Sequence, residues 1–384
     1  MKTPKKIKVL HVVGAMNRAG TETMLMNVYR NIDYQKVQFD FISYSQKEAH
    51  YDQEIRELGG NVIRLRKTNS SLAIYQVIKK YGPYDVIHAH TLFHCGISMM
   101  AARLAGVKIR ISHAHTTLDD SEGIIRKLYL KMMRYFITQY STHLLACSKE
   151  AGKYLYGKKL LGDAKYTYFP NVIDYYPYLH KSETQVQQFI TQQGFDKYII
   201  IGHIGRFMEA KNHKFLLKIM KEVIKKEPAA KLLLVGDGDL REEIEAVAAT
   251  EGLSDYICFI GVRDDIPTML HSMDVFVFPS IYEGLGLVLL EAQASGVPCI
   301  VSEAIQPEAD LQVDLFTKLS LSDKPSLWAD KIIEKAGQKE YNQTKISNGL
   351  EYNGYSVKQA LAKLMKIYQY EEGGEHGKYI DRYF

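Results

Sequence analysis

The chain has 384 residues, 46% of them hydrophobic and 24% charged, the balance of a soluble globular protein with room for two cores. Its apolar runs all fall short of the roughly 18 residues that span a bilayer, which excludes a helical integral membrane protein. The net charge of +5 hides an asymmetry: residues 1–180 carry 26 Lys and Arg against 14 Asp and Glu, a net +12, and the remainder carry 23 against 30, a net −7. A basic front half suits an anionic partner. Its cations are dispersed, without a finger motif or an aromatic-studded sheet, so nucleic acid is not expected.

In chain order, MKTPKKIKVLHVVGAMNRAG sets basic residues before an apolar stretch, as a secretory leader does. That stretch is only one strand long and runs into a glycine loop without a convincing cleavage site, so it reads as a first strand. Strand-like runs follow at FDFIS, NVIRL, DVIHAH, IRISHAH and THLLACS. Helix-like stretches such as TETMLMNVYRNI, SLAIYQVIKKYG and CGISMMAARLAG separate them. IIRKLYLKMMRYFITQY reads as an amphipathic helix, with Lys127, Lys131 and Arg134 on one face and Ile124, Leu128, Met132 and Tyr135 on another. A solvated basic face is its ordinary use; within a domain of charge +12, contact with an anionic membrane is the functional one.

NVIDYYPYLHKSETQVQQF has turn residues and lacks strand periodicity, which puts a domain boundary near 178–190. The pattern then restarts with YIIIGHIGR, AKLLLVGDG, YICFIG, DVFVFPS and PCIVS. Continuous apolar strands with helical crossovers predict two α/β units, each a doubly wound, Rossmann-like parallel sheet that binds ligands at the carboxyl ends of its strands. The expected domains are 1–180 and 181–370, with 371–384 a tail or a segment packed back on the first. Cys95, Cys147, Cys258 and Cys299 are far apart and form no CxxC pair, as in a cytoplasmic protein with reduced thiols.

Two stretches carry chemistry. In GHIGRFMEAKNHKFLL, Arg206 leaves a strand and Lys211 lies where a helix begins; two cations beside free helix N–H groups suit a diphosphate. In PSIYEGLGLVLLEAQASG, Gly284 and Gly286 let the backbone approach a ligand closely. Glu283 and Glu291 bracket that elbow as acceptors for hydroxyl groups. Core packing accounts for Leu287, Val288 and Leu290 but for neither glutamate.

Taken together these segments resemble the family-four retaining glycosyltransferases of GT-B fold, which make bacterial cell-surface polysaccharides. Arg206 with Lys211, and Glu283 with Glu291, are similar to the family's donor-site motifs. GAMNRAGTE resembles its first glycine loop, FPNVID its interdomain segment, and RISHAHTT the strand-end histidine of its acceptor domain. The resemblance implies two domains facing a cleft. It implies a nucleotide-sugar donor, with UDP the expected nucleotide, a saccharide or lipid-linked acceptor, and retention of configuration without a metal or other cofactor. By the same resemblance Arg206 and Lys211 would neutralise the diphosphate and Glu291 would bind ribose. Glu283, with the amides of Gly284, Leu285, Gly286 and Leu287, would hold the sugar. Gly20 would approach the pyrophosphate, and His115, rather than His113, would sit beside the reacting sugar. Ala19 and Val172 stand where the family often has glycine. The location implied is cytoplasmic, peripheral on the inner face of the membrane.

Other readings compete. Asp237-Gly238-Asp239 matches the DxD of metal-dependent glycosyltransferases, but it reads as a turn with Asp239 at a helix N-cap. His88, His90, His94, His113 and His115 suggest a metallohydrolase, yet no matching carboxylate cluster accompanies them. A sugar-nucleotide 2-epimerase of the same architecture and a non-enzymatic nucleotide-sugar-binding subunit would both retain the donor residues.

Overall fold

The computed structural model describes residues 6–115, 123–336, 338 and 342–368, so the 371–384 segment lies outside the described residues. The described residues form two compact units, one of those up to Pro170 together with Val357–Tyr368, the other of those within Asn171–Ser356.

The first unit contains seven parallel strands: β1 (Ile7–Val13), β2 (Val37–Ser43), β3 (Val62–Arg64), β4 (Val86–Ala89), β5 (Ile109–Ala114), β6 (His143–Ala146) and β7 (Tyr166–Tyr168). Their order is β3-β2-β1-β4-β5-β6-β7. The chain builds outward from β1, then returns to the other side of β1 with β4, which makes β1/β4 the switch point where such sheets bind ligands. One face carries Leu10, Val12, Ile87, Ala89 and Ala114 into an apolar core that also contains Ile74, Met99 and Met133. The other face is unusual for a buried parallel sheet. His11, His88 and His113 project from it, all but inaccessible, among Phe39, Phe41, Tyr29 and Tyr368.

The helix Ile124–Tyr140 buries Met133 and Ile137. A Cβ on Gly96 would lie 2.8 Å from the Met133 carbonyl oxygen, so only glycine lets this helix and Cys95–Ala105 meet backbone to backbone there. That contact sets the rotation of the helix. It leaves Ile124, Ile125, Leu128, Met132 and Tyr135 exposed, together with Lys127 and Lys131. Arg134 is not part of a solvated basic face. Its guanidinium donates to the carbonyls of Tyr154 and Leu155 and lies over the Phe93 ring.

The second unit contains β8 (Ile199–Ile204), β9 (Ala230–Val235), β10 (Ile257–Gly261), β11 (Val275–Phe278), β12 (Cys299–Ser302) and β13 (Phe316–Leu319), again parallel, in the order β10-β9-β8-β11-β12-β13. Its switch point is β8/β11. The segment that enters the unit pairs with the one that leaves it: the Ile173 amide donates to the Tyr355 carbonyl, and Ile173 bridges Ser356. That pairing ties residues 171–180, assigned from sequence to the first domain, into the second unit. The helix Val357–Tyr368, assigned from sequence to the second domain, belongs with the first unit, because Tyr368 is buried against Phe39 and His88.

Candidate active site

In the second unit the loops after β8 and β11 converge. The Ile281 amide donates to the Ala210 carbonyl at 2.8 Å and the Asn212 side chain to the Pro279 carbonyl at 3.1 Å. Asn212 takes the left-handed conformation (φ 56°) that asparagine tolerates better than most residues. With the loops clamped, the Lys211 ammonium forms an ion pair with the Glu283 carboxylate and lies 4.4 Å from the centre of the Phe278 ring. Both side chains are about four-fifths shielded (16% and 20% exposed), so water screens the pair far less than a surface pair. The other Glu283 oxygen accepts from the Gly284 amide at 3.3 Å.

Gly286 turns the chain into the helix Leu287–Ala294 with φ 70°, and a Cβ there would come within 3.1 Å of Leu289. Among the described residues, the N-cap positions Gly286 and Asn212 give neither this helix nor the helix His213–Lys226 that follows Lys211 a side-chain cap. Each therefore presents a start carrying partial positive charge. Leu285 and Leu287 are buried, leaving their amides as the groups that suit a ligand. Arg206 is exposed and its guanidinium has no hydrogen bond or ion pair among the described residues. Beneath it a Cβ on Gly236 would lie 2.1 Å from the Gly205 carbonyl oxygen, so glycine is required where the loops after β8 and β9 cross.

Glu291 lies within the helix Leu287–Ala294, not at the turn into it. Burial pushes its carboxyl up to about 7, and a hydrogen bond from Tyr178 opposes the shift. Tyr178 comes from a segment without periodicity, whose sequence contains no signal for this contact. Phe278, part of the strand-like run DVFVFPS, is at the same time a buried core residue. Asp239 is exposed and does not cap a helix, because the helix Arg241–Thr250 starts after Leu240 without a side-chain cap. Asp237 accepts from the Gly238 amide at 2.8 Å and lies 3.8 Å from Arg241, arrangements that a metal would have to replace.

Gly20 and His115 lie in the first unit, not with the residues above. Gly20 opens the helix Gly20–Arg30 after the loop that follows β1, exposed. His115 follows β5 and is half-buried, and its Nε2 meets His90 Nδ1 at 2.9 Å. His113 is fully buried, with one ring nitrogen against His88 and the other against the Phe169 carbonyl, so it has none to offer a ligand. Two trios, His11 with His88 and His90, and His90 with His113 and His115, lie close enough to surround an ion. Their ring nitrogens are instead hydrogen-bonded mainly to one another. Burial lowers His11 to about 3 and pushes His88, His90 and His113 well below the usual imidazole value, so these rings are neutral.

Residues 18–175 match the family described as Glycosyltransferase Family 4, and residues 185–352 match Glycosyl transferases group 1. The chain is 37% identical to EpsF of Bacillus subtilis (strain 168), classed with the glycosyltransferases, over 97% of this chain and 98% of that one. This protein is a family-four glycosyltransferase of GT-B fold. It is 27% identical, over 78% of its length and 80% of the relative's, to the UDP-Gal:alpha-D-GlcNAc-diphosphoundecaprenol alpha-1,3-galactosyltransferase of Escherichia coli. The capsular polysaccharide biosynthesis glycosyltransferase CapH of Staphylococcus aureus is 27% identical over 90% of this glycosyltransferase and 96% of CapH. HepE of Anabaena, solved with UDP and glucose, shares the fold with a TM-score of 0.75 at 17% identity, over 94% of this chain and 98% of HepE.

Proposed function

We propose that this glycosyltransferase moves a hexose from a UDP-sugar to a polysaccharide or lipid-linked acceptor, with retention of configuration and without a metal. The observation that carries the donor assignment is the meeting of Lys211 and Glu283 beside uncapped helix starts at the second sheet's switch point. A bound diphosphate draws the Lys211 ammonium toward itself, and Arg206, which has no protein partner among the described residues, supplies the second cation. Glu283 is then released to accept hydrogen bonds from the sugar hydroxyls, and Glu291 serves the ribose. As the bond to the sugar breaks, negative charge grows on the departing diphosphate, where these preorganised cations and amides stabilise it. In this reading the departing phosphate takes the acceptor's proton on the face of attack, and His115 acts on the transferred sugar. The name of the Escherichia coli relative supports UDP and a lipid-diphosphate acceptor.

The acceptor side includes the membrane. The exposed stripe Ile124, Ile125, Leu128, Met132 and Tyr135, accompanied by Lys127 and Lys131, suits the interface of an anionic bilayer. Among the described residues no helix is long and apolar enough to cross one.

The test is thermal stability against UDP, GDP, ADP and their hexose conjugates, with Arg206→Ala alongside. A ligand at 100 times its Kd adds about 2.7 kcal/mol, so the donor class will stand out and its effect will vanish in the variant. Stabilisation by no nucleotide, or equally in the variant, would overturn the donor assignment.

A further inference from the structure

Beside the stem of Lys211 the second sheet carries a buried histidine. His203 lies near the carboxyl end of β8, at the switch point with β11, and is fully inaccessible. Its ring packs among Phe276, Phe278 and His213. Its Nδ1 lies 2.8 Å from the Val277 carbonyl oxygen, which can only accept, so Nδ1 carries an N–H. Burial above all pushes this imidazole well below its usual value, so the ring is neutral. A neutral imidazole holds a single N–H. His203 Nε2 is therefore a bare lone pair, and it has no hydrogen-bond partner among the described residues. Native proteins keep few buried polar atoms in that condition, and each calls for a reason.

Gly205 shows what adjoins that lone pair. A Cβ there would lie 3.2 Å from His203 Nε2, 3.3 Å from Lys211 Cε and 3.4 Å from Lys211 Cδ. The nitrogen and the lysine stem thus flank one small space, which stays open because residue 205 has no side chain. At the end of the stem the ammonium meets Glu283 and lies over Phe278, the ring that also stacks on His203 at 5.5 Å between centroids. His213, the other imidazole in contact, adds no charge, since burial lowers it to about 4. An ammonium has three N–H groups to place.

We propose that His203 is a positioning residue for Lys211: once the donor's diphosphate draws the ammonium from Glu283, the Nε2 lone pair accepts one of its N–H groups. This rests on the reading of Lys211 as a diphosphate ligand. With one N–H fixed on His203, the direction in which the other two meet the phosphate oxygens is set before the sugar departs. A neutral acceptor suits this task, because a carboxylate in its place would hold the ammonium against the ligand and cancel its charge. The Val277 carbonyl, by fixing the tautomer, keeps the lone pair at Nε2. Gly205 belongs to the same arrangement, since any side chain there would press on both partners.

The experiment uses the full chain with UDP as the probe, and calorimetric titration of the parent, His203→Asn, Lys211→Ala and the double variant. Asparagine keeps an amide N–H for the Val277 carbonyl but has no atom at the place of Nε2. His203→Asn should raise the Kd for UDP about tenfold, the scale of one hydrogen bond to a charged group. In the Lys211→Ala background the same substitution should change Kd less than twofold, because His203 acts only through the ammonium. Equal weakening in both backgrounds is the mark of a merely structural histidine and would overturn the proposal. Should His203→Asn not fold, Gly205→Ala sets a methyl against both partners at a position without a positive φ, and the same comparison applies to it. In the parent labelled with 15N-histidine, UDP should move the His203 Nε2 resonance upfield, as a lone pair that gains a donor does; a resonance that stays in place would also overturn the proposal. If Lys211→Ala binds UDP weakly while His203→Asn binds it as the parent does, the positioning role alone falls. If Lys211→Ala binds UDP as tightly as the parent, the diphosphate reading falls and takes this proposal with it.

Discussion

Lys211 and Glu283, 72 positions apart in the chain, meet in an ion pair where the second sheet reverses its winding. In the proposed reading each is the other's substitute for a ligand: the carboxylate stands where phosphate would attract the ammonium, and the ammonium where sugar hydroxyls would meet the carboxylate. Losing one charged partner from a preorganised site costs on the order of 2–4 kcal/mol of barrier, about a hundredfold or more in rate. Lys211→Ala and Glu283→Ala should each lower kcat/KM by about that much. The double variant should lose less than the two effects combined, because the residues are in contact. Steady-state kinetics of all three against the parent checks this; full additivity would mean that the pair is not one functional unit.

Arg206→Ala should separate binding from stability. The guanidinium is exposed and pairs with no described residue, so the ligand-free protein should lose no more than about 0.5 kcal/mol. Urea denaturation with and without UDP reads both quantities. A large loss without UDP would point to a structural arginine.

Glu291 should make donor affinity depend on pH. Its carboxyl is raised from 4.5 to about 7 by burial. A folded-state value above the unfolded one means that the native protein holds the extra proton between those limits. Stability therefore falls as pH rises from about 4.5 to about 7 and levels off above. Ribose hydroxyls bind best to the ionised form, so UDP affinity should weaken as pH drops below about 7. Calorimetric titration of UDP from pH 5.5 to pH 8.5 tests this. Glu291→Gln should bind weakly throughout and without that slope; the same slope in the variant would assign it to another group.

The exposed helical stripe gives a membrane prediction. Leu128→Glu combined with Met132→Glu, or Lys127→Glu with Lys131→Glu, should reduce sedimentation with anionic vesicles several-fold. UDP binding should be unaffected. Only the lysine pair should change the salt dependence, because charge attraction to the surface is screened within about a nanometre at physiological ionic strength. Equal sedimentation by the parent and both variants would remove the membrane from the acceptor side.

Tyr368→Phe should test the attachment of the C-terminal helix. It leaves His88 Nδ1 buried with no donor, at a cost of about 1–3 kcal/mol. A lowered urea midpoint with unchanged UDP binding is expected.

The amino-acid sequence by itself determined the alternation of buried strands and helices, hence two doubly wound sheets, because strands buried on both faces must be apolar throughout. It also located Arg206 just after a strand, Lys211 just before a helix and Glu283 in a glycine turn, since strand, glycine and helix start are local features. It did not reveal β7 or β13, short edge strands of mixed burial whose apolar signal is weak. Nor did local pattern reveal that Leu128 and Met132 are exposed: helical periodicity identifies a face, but contact with Gly96 decides which face turns inward. The Lys211–Glu283 pair, the Tyr178–Glu291 contact and the chain from His11 to His115 join residues from different elements. Their geometry exists only once the strands are in register, and their protonation depends on burial that only tertiary packing creates.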